Sequence, residues 1–481
     1  MQKLPFLLLL ITLFFACKVV PKQNQIPKNP VVPAERQARY QEQELIGFIH
    51  FTINTFTDQE WGFGDESPAL FNPTQLDVEQ WVKVAKAAGL KQLILTAKHH
   101  DGFCLWRSRY TEHSVKNSPY ENGQGDVVKE FTEACKKHNI KAGLYLSPWD
   151  RNHAAYGKPE YITYYRNQLT ELLTNYGDIA EFWVDGANGG TGYYGGTNEE
   201  RVIDRKTYYD WDSTFRLAKK LQPNVLIFSD AGPDIHWIGN EKGFAGETFW
   251  TMMNLNRVFI GTPETEYLNT GDPQGTSWVV GQCDVSIRPG WFYHAKEDSL
   301  VKSPQQLVDI FYKSVGRNAI LLLNLPPDRR GLIHETDVQH LQTFRSILNE
   351  TFQNNLVKGA KISVNSGSEA HRILNDDPTD FWIANAKART AEVVLTFNNP
   401  ITFDRISLQE PIRYGQRTGK FNIRGEINGT WQDLAQGTTI GYKRLLRIAP
   451  VTVSKLKIQI LEANNTPALS NVGLYKASPR E

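Results

Sequence analysis

The chain has 481 residues, with 53 Lys+Arg against 52 Asp+Glu and a net charge of +1. Charge this balanced, with no basic run beyond short pairs, argues against nucleic acid as a partner. At 40% hydrophobic and 22% charged residues the composition is ordinary globular, which excludes disordered and fibrous classes. At roughly 150 residues per domain the length allows about three domains, or one large barrel plus a smaller unit. The 12 Trp, 19 Tyr and 24 Phe supply flat faces that serve mostly as core and also suit stacking on sugar C–H surfaces.

Residues 4–16 are a largely apolar run behind Lys3, too short to span a bilayer but suited to a signal peptide. The run stops at Ala16-Cys17, which resembles a bacterial lipoprotein signal: residues 1–16 would be removed and Cys17 acylated. Lys18-Val19-Val20, rather than acidic residues, follow the cysteine, which favours the periplasmic side of the outer membrane over the cell surface. The segment 17–43 carries prolines 21, 27, 30 and 33 and reads as an extended tether that builds no core. With Cys17 assigned to lipid, Cys104, Cys135 and Cys283 remain, and no C-x-x-C spacing points to a disulfide framework or a zinc knuckle.

Over residues 44–355, short apolar runs alternate with longer amphipathic ones. The runs 45–51, 91–97, 141–147, 179–185, 225–230 and 319–325 are nearly continuous, as strands buried on both faces should be. Helices are expected at 75–88, 126–138, 159–175, 206–221 and 304–315, the first capped by Thr74 and stopped by Gly89. This alternation predicts an α/β fold, a (β/α)8-like, TIM-type barrel with irregular connections between its fifth and seventh strands. No Gly-rich phosphate loop follows the first strand. Residues 356–481 change character: short alternating runs separated by NNP, NGT and QGTT predict an all-β sandwich.

Functional residues of a parallel barrel collect at the C-terminal ends of its strands. Polar residues stand there on five strands: His50; Lys98-His99-His100-Asp101; Tyr145 with Trp149-Asp150; Trp183-Val184-Asp185-Gly186; and Asp230, followed by a loop holding Glu241. His99 and His100 are adjacent, so on a regular strand they point to opposite faces, which speaks against a metal site. No cofactor is expected. Two carboxylates on different strand ends, Asp185 and Glu241, suit glycoside hydrolysis, with Glu247 as the competitor to Glu241. Two other functions stay open at this stage: a non-catalytic glycan-binding lipoprotein, and a retaining hydrolase of another deoxysugar or of galactose.

The motifs IGFIHFTINTF, EWGFG, TAKHHDGFCLW, FWVDG, GPDIHWIGNE, RPGWFYH and NAILLLNLPPDRRG, in this order, resemble glycoside hydrolase family 29, the α-L-fucosidases. The resemblance implies a retaining exo-hydrolase of terminal fucose on a fucosylated glycan, with Asp185 as nucleophile. The G-N-E motif resembles the α-1,3/1,4-specific branch, which makes Glu241 the acid/base. His50, Glu60, Trp61, His99, His100, Tyr145 and Trp183 would then bind fucose, and Trp291 would stack near its C6 methyl. A departure from the family pattern, PWD at the third strand, sets Trp149-Asp150 apart from the ligands. The sandwich is similar to the discoidin-like, galactose-binding-like domain of that branch. The Gly-rich insertion 187–200, with Tyr193-Tyr194, is expected to wall the neighbouring subsite.

Overall fold

A computed structural model describes residues 31–375, 377 and 379–481. The signal peptide, Cys17 and most of the tether fall outside the described residues. Eight parallel strands close into a barrel: β1 (Leu45–Ile49), β2 (Gln92–Lys98), β3 (Lys141–Leu146), β4 (Glu181–Trp183), β5 (Leu226–Ser229), β6 (Ile235–Trp237), β7 (Val280–Ser286) and β8 (Ile320–Asn324). Neighbours in the barrel follow chain order, and β8 pairs with β1 in parallel, Leu45 opposite Leu321. Among the described residues no helix is long and apolar enough to cross a membrane.

The helices outside the barrel lie near their expected places. Helix α1 (Glu35–Gln41) precedes the barrel; α2 (Val78–Ala87), α3 (Val127–Lys137), α4 (Pro159–Asn175) and α5 (Trp211–Leu221) follow the first four strands. The cap of α2 is Asp77, not Thr74: its side chain accepts the amide of Gln80 at 2.9 Å. Gly89, with φ of +91°, ends that helix as anticipated. No helix separates β5 from β6, and only the short α6 (Thr265–Thr270) lies between β6 and β7, so the barrel is irregular where the pattern indicated. Helices α7 (Pro304–Lys313) and α8 (Glu335–Phe352) complete the outer ring.

Two corrections follow, one to a boundary and one to the strand count. The folded part begins before residue 44, because α1 closes the N-terminal end of the barrel. Gln37 Nε2 donates to the carbonyls of Asp234 and Trp278, and Gln41 Nε2 to that of Asn318. Strands β6 and β7 went unrecognised as apolar runs. Strand β6 is only three residues long, with Ile235 in the apolar barrel interior, whereas β7 turns polar residues inward: Gln282 donates to Glu181 and to Tyr40 and accepts from the Trp183 indole, forming a hydrogen-bonded layer inside the barrel.

The C-terminal β-domain is antiparallel, as expected. Its strands β9 (Lys361–Val364), β10 (Ala391–Gln409), β11 (Thr418–Ile427), β12 (Thr430–Gly437), β13 (Arg444–Ala463) and β14 (Asn471–Tyr475) run in the order β9-β10-β13-β11-β12, with β14 also on β10. Residues 391–397 alternate strictly between buried and half-buried, the period of a strand with one face on a core. Both halves of the long β10 feed that core, through Val393 and Leu395 at one end and Ile406 and Leu408 at the other.

Candidate active site

At the C-terminal ends of the strands a pocket opens, lined by Phe48, His50, Glu60, Trp61, His99, His100, Trp183, Asp185, Gly186, Ala187, Phe228, Asp230, Trp237, Glu241, Asp284 and Trp291. Of the predicted site residues, only Tyr145 is not in this lining. It lies directly behind the pocket, where its hydroxyl donates to Asp185 Oδ2 at 3.1 Å.

Asp185 follows β4 by two residues and is fixed from both sides. Oδ2 accepts from Tyr145, and Oδ1 accepts the amide of Ala187 at 2.7 Å. Burial raises its pKa, and these two donors act against the rise. Gly186 is required by a close approach: a Cβ there would sit 1.8 Å from Asp230 Oδ2. Glu241 lies on the loop after β6, not β5 as the strand count from sequence had it. Its Oε2 accepts from Trp291 Nε1 at 3.2 Å. Burial, then the charges of Asp185 and Glu60, raise the Glu241 pKa; the Trp291 hydrogen bond lowers it. Glu247 is elsewhere, held by Arg317 and Arg444 at the junction with the β-domain.

His99 and His100 do not point to opposite faces. Strand β2 ends at Lys98 with a register shift against β3, so both rings turn to the pocket, with centroids 4.1 Å apart. Hydrogen bonds set the orientation of two histidines. Asn324 donates both amide hydrogens, to Ser286 Oγ and to the Trp291 carbonyl, which leaves its Oδ1 facing His50 Nδ1 at 2.8 Å. His50 Nδ1 must therefore donate, and Nε2 is left as an acceptor. Likewise Ser147 donates to the Trp149 carbonyl and faces His100 Nδ1 at 2.7 Å, so His100 Nε2 is an acceptor 3.8 Å from Asp185 Oδ2. Burial holds both pKa values down to about 3, so the rings are neutral. The buried Nδ1 of His99 has no hydrogen-bond partner among the described residues. Neutral imidazoles with inward lone pairs accept hydrogen bonds from hydroxyl groups, which suits a polyol ligand.

The walls are aromatic. Trp61, 52% exposed, stands edge-on to His100 and Trp149 at the rim. Glu60 accepts the backbone amides of Trp291 and Phe292, at 2.8 and 3.1 Å. Asp150 lies outside the lining: it forms a wholly buried ion pair with Lys98 at 3.0 Å, with Trp149 beside it. The insertion 187–200 forms a hairpin, Gly190–Gly192 against Glu199–Arg201. Tyr194 is not a subsite wall but the buried foot of this hairpin, accepting from Trp149 Nε1 and donating to the Gly190 carbonyl.

The alpha-L-fucosidase family model matches residues 32–351. The chain belongs to the α-L-fucosidase family of glycoside hydrolases. Alpha-L-fucosidase 1 of Arabidopsis thaliana is 43% identical, over 97% of this chain and 94% of that protein. A glycoside hydrolase 29 family member from an unknown rumen bacterium superimposes with a TM-score of 0.85 at 45% identity, over 94% of this chain and 78% of that one. A Ruminococcus gnavus GH29 fucosidase, solved in complex with fucose, gives a TM-score of 0.86 at 32% identity, over 95% and 97% of the two chains. The site therefore belongs to an α-L-fucosidase. Asp230 and Asp284, two further carboxyls in the fucosidase pocket, were missed as site residues. Asp230 was visible as a polar strand end; Asp284 was hidden because β7 itself was not recognised.

Proposed function

We propose that the enzyme is a retaining exo-α-L-fucosidase that removes terminal α-1,3- and α-1,4-linked fucose by double displacement. The observation that carries the mechanism is a pair of carboxyl groups in one pocket: Asp185, held between Tyr145 and Ala187, and Glu241, on the loop after β6. Asp185 attacks C1 of fucose while Glu241 protonates the departing glycosidic oxygen. Glu241 then takes a proton from water, which attacks C1 and releases the fucosyl group from Asp185. The acceptor nitrogens of His50 and His100 receive fucose hydroxyls, and Trp291 packs near the C6 methyl. The fucose-bound relative from Ruminococcus gnavus supports this assignment of the pocket.

Linkage preference rests on the G-N-E motif and on the hairpin after Asp185, whose fastening to Arg151 makes a firm rim beside the leaving group. We extend the reading to the β-domain as a discoidin-like partner of the barrel, and to Cys17 as a lipid anchor on the periplasmic side of the outer membrane. Cys17→Ser, which releases the enzyme from membranes, tests the anchor. The mechanism is tested with Asp185→Ala, expected to lose nearly all turnover and to regain part of it with azide. Glu241→Gln should affect poor leaving groups most. A panel of a Lewis trisaccharide, 2′-fucosyllactose and an aryl fucoside tests linkage. Equal or faster release from 2′-fucosyllactose would refute the stated preference.

A further inference from the structure

Next to the pocket, behind Glu60 and Trp61, lies a second and more open depression that includes Asp58, Pro289, Gly290, His294, Lys296 and Glu297. At its floor is a buried histidine that no part of the hydrolytic mechanism uses. His294 Nδ1 is 2.7 Å from Asp58 Oδ1, and His294 Nε2 is 2.7 Å from Glu60 Oε1. A carboxylate oxygen only accepts, and a neutral imidazole has a single N–H. Both contacts are hydrogen bonds only when the ring carries two protons. Gly290 packs closely against this contact: a Cβ there would lie 2.5 Å from Glu60 Oε1 and 2.9 Å from His294 Cδ2.

Glu60 spends its remaining capacity on the next loop. It receives the amide hydrogens of Trp291 and Phe292. Trp291 in turn donates its indole N–H to Glu241, and its carbonyl accepts from Asn324, the residue that orients His50. Asp58, His294, Glu60 and Trp291 thus form one hydrogen-bonded line from the exposed surface to two groups of the sugar site. We propose that His294 is a positioning residue, an imidazolium clamp that holds Glu60 and through it sets Trp291 against the bound fucose. The proposal rests on the reading of the pocket as the fucose site.

Protonation makes the clamp dependent on pH, and the sign follows from the surroundings. Burial pulls the His294 pKa down, but the hydrogen bonds and charges of Asp58 and Glu60 outweigh it, and the net shift is upward from 6.5. The Asp58 pKa is lowered, first by its hydrogen bond to His294 and in smaller part by Lys296 and Arg329. Glu297, on the far side, is engaged by the Gly290 amide. A group whose pKa is raised by folding contributes below its ordinary value and loses that contribution as pH climbs through the raised one. Fucose affinity should therefore be full in mildly acidic solution and fall on the alkaline side.

The experiment uses the whole enzyme, an aryl fucoside with a good leaving group, which needs little help from Glu241, and fucose as a competitive inhibitor. In the wild type, KM and the fucose inhibition constant should rise by roughly tenfold across the His294 titration, as expected for loss of a charge-assisted hydrogen bond, with kcat changing less. The ring-proton NMR signal of His294, identified by its loss in His294→Gln, should titrate at the same midpoint, above 6.5. His294→Gln should show the raised KM at every pH, and His294→Lys, a cation throughout, should restore the low KM and flatten the profile. Should His294→Gln fail to fold, the surface variant Asp58→Asn must move the midpoint to lower pH. The proposal is overturned if His294→Gln keeps the wild-type KM profile, if the ring titrates below 6.5, or if Asp58→Asn leaves the midpoint in place. Failure to release fucose from any fucoside would overturn the assigned function instead, and the NMR titration would still be readable.

Discussion

The hydroxyl of Tyr145, near the end of β3, donates to Oδ2 of Asp185, just past the end of β4, across 3.1 Å. It is a cross-strand contact between rigid elements, so Asp185 is oriented before any substrate arrives. Because burial raises the Asp185 pKa, and the hydrogen bond works against that rise, Tyr145 keeps this carboxyl, the proposed nucleophile, ionised at lower pH than its surroundings would allow.

Tyr145→Phe should remove this donor and little else, since the ring stays packed near Trp183. A hydrogen bond to a charged group contributes about 1.5–3 kcal/mol, so kcat/KM should fall roughly 10- to 100-fold. In the proposed mechanism Asp185 works ionised, so activity is lost as pH falls through its pKa, and the acid limb of the kcat/KM profile should move to higher pH. An unmoved limb would show that Tyr145 does not act on Asp185.

Trp291→Phe addresses the other carboxyl. In the proposed mechanism Glu241 works protonated as the acid, so activity is lost as pH rises through its pKa. The Trp291 hydrogen bond lowers that pKa, and its removal should shift the basic limb upward. A downward shift in the pH profile of kcat, measured on a substrate with a poor leaving group, would contradict the contact.

Gly186→Ala introduces a methyl group where Asp230 Oδ2 already lies, at 1.8 Å. The strand end must move, and a misplacement on the order of 1 Å at the reacting centre costs roughly 10²-fold in rate. Thermal unfolding should change far less than kcat. The double variant Gly186→Ala/Asp230→Ala should recover part of the rate, because the space is then free; no recovery would place the fault elsewhere.

Lys98→Met tests the foundation under His99 and His100. Lys98 and Asp150 are 0% and 1% exposed, and Asp150 also accepts from Tyr164. Removing one partner of a buried pair leaves an uncompensated charge and costs about 3–5 kcal/mol. Denaturant unfolding should show a loss of this size in Lys98→Met and a smaller one in Lys98→Met/Asp150→Asn. Equal losses would mean that packing, not charge, is responsible.

Much of the barrel could be read from residue order because six of its strands are continuous apolar runs, and the β-domain because its strands alternate. What escaped has several separate physical origins. Barrel interiors are ordinarily apolar, but this one carries a polar layer, so Gln282 and Asp284 disguise β7 as a loop. Losing β6 and β7 shifted Glu241 by one strand without displacing it from the pocket. The histidine pair was misjudged because period-2 reasoning stops applying where a strand ends, and β2 ends one residue earlier. Tyr194 reads as an available aromatic in a glycine-rich run; its burial depends on Trp149 and Tyr156, which are far away in the chain.

The loop that carries Glu241 is anchored at its far end by the β-domain. Glu247 meets Arg444, Thr248 bonds Thr438, and the Phe249 amide donates to Thr439. The second domain thus acts as a mechanical stay for the loop of the proposed proton donor, although its own core contributes no residue to the pocket lining. Heat or denaturant that loosens only that domain would slacken the loop and silence the enzyme while the barrel still stands. The useful lifetime of the enzyme is then set by the weaker of two cores, and stabilising mutations in the barrel alone would extend it only as far as the β-domain permits.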